Sequence, residues 1–194
     1  MTIEDFALDA VLIVALILAN GFFAASEIAV IAMRKSRIDT LVEQGILSAK
    51  LVARLKNDPD RFLATVQIGV TVVGTLASAI GGAAAIGYLK PQIAALSFPL
   101  TARWAEAIAL LLVVVPISYL SLVLGELVPK SLALKHSEPI ACFVARPIDL
   151  LARATSLFVK ALTGSSNAVL RLFGVHDSEG ASFISAEEVK SLIR

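Results

Sequence analysis

Residues 104–130 read WAEAIALLLVVVPISYLSLVLGELVPK, and this stretch decides the fold. About 20 apolar residues of helix cross a bilayer, and residues 104–124 supply them. The run then meets Gly125-Glu126-Leu127-Val128-Pro129-Lys130. An acidic side chain in a span costs roughly 2.5–3.5 kcal/mol at the helix centre and less toward the ends, which makes Glu126 a functional candidate. Pro129 has no N–H to give to the carbonyl of Gly125. A backbone oxygen is thereby left beside the Glu126 carboxylate, which is how a helix end becomes an oxygen cage for a cation. A plainer reading of the same residues is a helix stop near the water interface, with Glu126 paired to Lys130 four residues on. On this stretch alone the two readings stand level.

Two more apolar runs flank the chain's earlier half. The protein is 57% hydrophobic and 17% charged, against about 45–50% and about 25% for soluble domains. The excess sits in three runs, so the sequence describes an all-α integral membrane protein. Spans are expected over residues 6–33, 62–89 and 104–128. The first run breaks pattern at Asn20-Gly21-Phe22-Phe23-Ala24-Ala25-Ser26-Glu27. Its roughly 28 residues exceed one straight span, so tilt or a break is expected, with Gly21 as the natural break point. Its acidic start (Glu4, Asp5, Asp9) is unlike a cleavable signal peptide, which begins basic.

In the second run, Gln67, Thr71, Gly74, Thr75, Ser78, Gly81 and Gly82 fall within one helical sector of about 120°. Such a face is expected to pack against another helix or line a polar cleft. Residues 90–103 read as a loop, Pro116 as a kink in the third span, and Trp104 as an interfacial anchor.

Between the first two spans, residues 38–60 carry charge at helical spacing and predict a short helical hairpin on the membrane surface. Asp58 with Pro59 is a cap followed by a proline at the first helical position. After Lys130, the residues Glu138, Arg146, Asp149, Arg153, Lys160, Asn167 and Arg171 share a narrow face. Charges at that interval forbid a clean span, so interfacial helices are expected over residues 139–173, broken near Pro147 and Gly164-Ser165-Ser166. Residues 1–174 thus form a transmembrane domain. Residues 175–194 read as a linker and, from Ser185 with Glu188, a capped helix start leading into a further cytosolic region.

Orientation follows the basic residues. Seven (Arg34, Lys35, Arg37, Lys50, Arg54, Lys56, Arg61) lie around the first connection and eight follow the third span, whereas the second connection holds only Lys90 and Arg103. The N-terminus is then outside and the C-terminus cytoplasmic. Net charge is +1, and no basic tract with interleaved aromatics points to nucleic acid. Cys142 is alone, so no intramolecular disulfide forms, and it reads as a small apolar residue. With no His-Glu-x-x-His motif, Ser–His pair or intramembrane Asp pair, the chain does not read as an enzyme.

Three elements bring oxygen donors to the membrane: Asn20, Ser26 and Glu27 on the first helix, Gln67 and Thr71 on the second, and Glu126 with the carbonyls around Gly125 on the third. Hard donors without thiolates suit Mg²⁺, Ca²⁺, Na⁺ or Mn²⁺. Ser26 lies about 100° from Glu27 around an ideal helix, so the two share an ion only if the helix is distorted there.

Three stretches, Asn20 to Glu27, Asp58 to Gly69, and Leu124 to Lys130, closely resemble the membrane domain of the CorC/cyclin M family in residues, order and spacing. The resemblance covers essentially the whole chain. It implies a dimeric Mg²⁺ transporter of the plasma (inner) membrane, exporting Mg²⁺ in exchange for Na⁺, with homodimer contacts through the transmembrane helices. ATP would bind only in a following pair of CBS modules. The ion site it implies consists of Ser26, the Gly69-to-Thr71 region, and Gly125 with Glu126. Many relatives carry Asn where this chain has Val70, so the Thr71 hydroxyl is taken as the second-helix ligand. Pro129 would hold the helix end open, and Glu27 would be a Na⁺ ligand or a partner of Lys130. Asn20 and Gln67 complete the candidates. The alternative is a membrane-anchored Mg²⁺ sensor or scaffold that binds the ion without moving it.

Overall fold

The computed structural model describes residues 3–95 and 99–172. Among them every regular element is helical: α1 (Ile3–Ala32), α2 (Lys35–Glu43), α3 (Leu47–Asn57), α4 (Pro59–Ala84), α5 (Lys90–Ala94), α6 (Pro99–Leu122), α7 (Val128–Lys135), α8 (Ser137–Ala154) and α9 (Ser156–Leu172). Two π-helical turns, Ala85–Leu89 and Val123–Leu127, join α4 to α5 and α6 to α7.

Three stretches are long and apolar enough to cross a membrane: Asp5–Ala32, Pro59–Ala94 and Trp104–Lys135. The all-α, three-span class expected from the sequence is therefore the class observed. Their burial is inverted relative to a soluble protein. Val11, Val14 and Leu18 on α1, Val72 and Leu76 on α4, and Leu111, Leu112 and Val115 on α6 are all exposed. Lipid, not water, is the solvent that accepts such a surface.

Several boundaries differ from expectation. Gly21 does not break α1, which is one continuous helix. The second span does not end near residue 89, because the π turn passes it into α5, and helix occupies residues 90–94 and 99–103 of the expected loop. α6 runs helically through Pro116, and the third span continues through α7 to Lys135. α8 runs through Pro147, and α9 through Gly164-Ser165-Ser166. The break falls instead at Thr155, whose backbone N–H and hydroxyl both bond the carbonyl of Leu151. The segment beyond residue 172, with the Ser185 cap and the linker, lies outside the described residues.

The packed core sits at one end of the spans. Ala29, Val30 and Met33 of α1 and Phe62 and Val66 of α4 meet Ile38 and Leu41 of α2, Ala49, Val52 and Leu55 of α3, and Ala141, Val144, Ala145 and Ile148 of α8. The expected hairpin is thus α2 and α3, closed by Gly45 at φ +81°. Gly45 donates to Val42 and Ile46 to Leu41, at 3.0 and 3.1 Å. That is the paired C-terminal bond pattern that needs a left-handed residue, and glycine adopts it without a Cβ clash. Asp58 caps α4 as expected, accepting from the Arg61 N–H at 3.3 Å with Pro59 next.

Cations stitch this end together. Lys56 donates to the carbonyls of Ile31 and Met33, the orphan oxygens at the end of α1. Burial pulls its pKa below the usual lysine value. Arg61 reaches the carbonyl of Ala152 near the end of α8 at 3.0 Å. Arg37 grips Glu138 through two bonds of 2.8 and 2.9 Å. Buried Asp149 meets Arg54 at 3.6 Å and Arg153 at 2.6 Å.

Candidate functional site

The site is the joint between α1 and the π turn Val123–Leu127. In an α-helix the carbonyls of Leu124 and Gly125 would accept from residues 128 and 129. Here the Val128 N–H is spent on Val123, one residue further back, and Pro129 has none. Two backbone oxygens are therefore released together. The missing Pro129 bond to the Gly125 carbonyl follows from residue identity, but the π register that releases Leu124 leaves no mark in residue pattern. Single π turns of this kind recur at functional sites.

What α1 does with this turn is specific. Asn20, buried to 8% exposure, donates its side-chain amide to the Gly125 carbonyl at 2.9 Å. Its own Oδ1 is buried without a hydrogen-bond partner. A Cβ on Gly21 would sit 3.1 Å from the Leu124 carbonyl and 2.9 Å from Pro129 Cγ. A Cβ on Gly125 would meet Asn20 Nδ2 at 3.1 Å and the Ile17 carbonyl at 3.2 Å. Gly21 is thus a point of close approach, which explains why the expected break is absent.

One helical turn toward the core end lie the charges. Lys130 Nζ is 2.8 Å from Glu126 and 3.9 Å from Glu27. The pairing of Glu126 with Lys130 expected from their spacing is present, and Glu27 joins it across helices. Ser26 is fully buried, and its hydroxyl donates to the Phe22 carbonyl at 2.6 Å. That bond uses its hydrogen and leaves oxygen lone pairs available to a cation. α1 is regular at Ser26 and Glu27, so the distortion that would let them share an ion is missing, and each has its own partner.

The second-helix candidates are placed differently. Gly69 is buried against Phe23, whose ring atoms lie 2.5–2.7 Å from where a Cβ would be. Close packing accounts for this glycine. Thr71 is exposed, and its hydroxyl accepts from Gln67 at 3.5 Å on the same helix. The polar face of α4 does not pack within the described chain: Gly74 and Gly82 have nothing within 4 Å of a built Cβ, and Thr75 and Ser78 turn their hydroxyls back on their own helix. Gly81, by contrast, is filled by Ile117, and Ala84 and Ala85 are buried.

Among the described residues no group of three or more His, Cys, Asp or Glu could hold a metal. The donors at the joint are carbonyl, amide and carboxylate oxygens, which favour hard cations over zinc or copper.

Fold and joint together define a multi-pass membrane protein with an oxygen-lined seam between its first and third spans. Residues 11–194 match the CNNM family, the cyclin M transmembrane N-terminal domain, and the chain belongs to that family. It is 44% identical over 186 residues to the UPF0053 protein sll0260 of Synechocystis, covering 96% of this chain and 41% of the relative. It is 32% identical over 184 residues to the UPF0053 protein YhdT of Bacillus subtilis, covering 94% and 40%. The polyamine export protein of Haemophilus influenzae is 27% identical over 164 residues, covering 84% and 37%. The chain therefore spans about two fifths of the length of these relatives.

Proposed function

We propose that this chain is the membrane domain of a Mg²⁺ transporter, exporting the ion across the plasma membrane in exchange for Na⁺. The observation that carries the reading is Asn20 Oδ1, a buried oxygen with no donor, on the side chain whose amide holds the Gly125 carbonyl. A buried acceptor without a partner costs about 1–3 kcal/mol, and a dehydrated hard cation supplies what it lacks. Glu126 provides the charge, Ser26 a hydroxyl and Gly125 a carbonyl. Gly69 and Thr71, with Gln67 beside them, are the α4 candidates, Thr71 from an exposed position, and Pro129 keeps the turn open.

The basic connection supports a cytoplasmic side for the hairpin and α8 and an outside N-terminus. The unpacked face of α4 meets a second copy in a homodimer, through Gly74, Gly82 and the hydroxyls between them. ATP acts through a CBS region beyond this domain.

Flux measurement decides this. Glu126→Gln in proteoliposomes is expected to abolish Mg²⁺ transport while the protein stays folded and dimeric; full flux in that variant would refute the assignment. A wild type that binds Mg²⁺ and moves none would make the chain a sensor or scaffold.

A second reading has one observation in its favour. Lys130 seats an alkylammonium on Glu126 and Glu27, the chemistry that a polyamine presents, and one relative is named a polyamine exporter. Spermidine that competes with Mg²⁺ at equal charge concentration and is itself transported would establish it.

A further inference from the structure

Lys130 is more than a helix salt bridge, because its second carboxylate comes from another element. The ammonium stands between Glu126 of the π turn, at 2.8 Å, and Glu27 of α1, at 3.9 Å. It already occupies the position of a cation at the mouth of the joint. Nor is it locked in: the three side chains are 32%, 44% and 34% exposed for Lys130, Glu126 and Glu27. A lysine is a point charge on a flexible four-carbon stem, so the ammonium leaves by rotamer change without disturbing α7.

We propose that Lys130 is a tethered competing cation whose position sets the valence the site accepts. With the ammonium in place, two carboxylates and one ammonium sum to a formal charge of −1, which one monovalent cation neutralises. With it withdrawn, Glu126 as ligand and Glu27 through its nearby charge alone present −2, which matches one divalent cation. A divalent ion entering beside the seated ammonium leaves an excess of +1 in a partly desolvated seam, so the two exclude each other. Lys130 thus makes one carboxylate pair alternately selective for Na⁺ and for Mg²⁺, the property an exchanger needs at a shared site. This inference rests on Glu126 being a cation ligand.

The test is Mg²⁺ binding to the chain in lipid nanodiscs, by calorimetry, at fixed ionic strength with NaCl replaced stepwise by choline chloride. Removing the charge with Lys130→Gln is expected to tighten Mg²⁺ about fivefold, which corresponds to about 1 kcal/mol at 1.4 kcal/mol per tenfold. The same variant is expected to blunt competition by Na⁺. Lys130→Arg keeps the charge and is expected to bind Mg²⁺ no more tightly than wild type. Lys130→Ala removes the same charge and is read in the same way if the glutamine variant does not fold. Unchanged or weaker Mg²⁺ affinity in the charge-removing variants, with Glu126→Gln abolishing binding, overturns the role of Lys130 alone. Mg²⁺ binding that survives Glu126→Gln overturns the site on which it rests.

Discussion

Asn20 donates its side-chain amide to the main-chain carbonyl of Gly125 at 2.9 Å, joining the first span to the third across a buried seam. The bond exists because Pro129 cannot serve that carbonyl and because Gly21 and Gly125 let the two backbones close. Its replacement should be costly. Asn20→Leu conserves bulk but leaves the Gly125 oxygen buried without a donor, and is expected to destabilise the protein by about 1–3 kcal/mol. Thermal unfolding in detergent measures this, with Leu18→Ala on the exposed face of α1 as the comparison that should cost less. Equal effects from the two variants would remove the seam from the account.

Gly69 reads from sequence and resemblance as part of an ion site, but its packing suggests a second duty. A Cβ there would overlap the Phe23 ring, so Gly69→Ala is expected to cost about 1–3 kcal/mol by overpacking. In a Phe23→Leu background the same substitution should cost much less, and the coupling in that double-mutant cycle is the quantity to measure. If the penalty is the same in both backgrounds, the glycine is needed for something other than room for the ring.

The clasp between α2 and α8 gives a pH dependence. Hydrogen bonding to Arg37 lowers the Glu138 pKa below its ordinary value of 4.5. The folded state therefore holds this proton less tightly than the unfolded chain. The contribution is fully present above pH 4.5 and is lost as pH falls through the lowered value. Wild type is thus expected to exceed Glu138→Gln in thermal stability near neutrality, with the gap closing in acid and shrinking at high salt. A gap that persists unchanged at low pH would mean that the pair does not act through charge.

How much of this was legible in the sequence depends on the range of the cause. The three spans, the α2–α3 hairpin and the Asp58–Pro59 start are local, so apolar length, charge spacing and cap chemistry reveal them. Gly21 reads locally as a break because a glycine in isolation weakens a helix. Its actual reason is the Leu124 carbonyl on another span, which no local pattern encodes. The basic residues used to orient the chain illustrate the same limit. Counting Arg37, Arg54, Lys56 and Arg61 predicts a side of the membrane, but their partners, Glu138, Asp149 and the carbonyls of Ile31, Met33 and Ala152, follow only from packing. At the site, donor types were readable and the π register was not. One extra residue in a turn changes which oxygens are free without changing the order of the letters.

Pro129 offers the sharpest test of that register. Alanine at this position supplies the N–H that proline lacks, and the Gly125 carbonyl is four residues back, at the distance an α-helix needs. The new N–H then competes with Asn20 for that oxygen and draws the turn toward ordinary α geometry. Proline in a helix interior is unfavourable by about 3 kcal/mol relative to alanine, so Pro129→Ala is expected to leave thermal stability unchanged or raised. Cation binding should move the other way, falling about tenfold, which is about 1.4 kcal/mol, as the freed oxygens are taken back into the helix. Opposite signs in unfolding and in Mg²⁺ titration of one variant are what a turn held open for function requires. Loss of both together would make Pro129 a packing residue against Gly21, and loss of neither would leave the π turn without a role in binding.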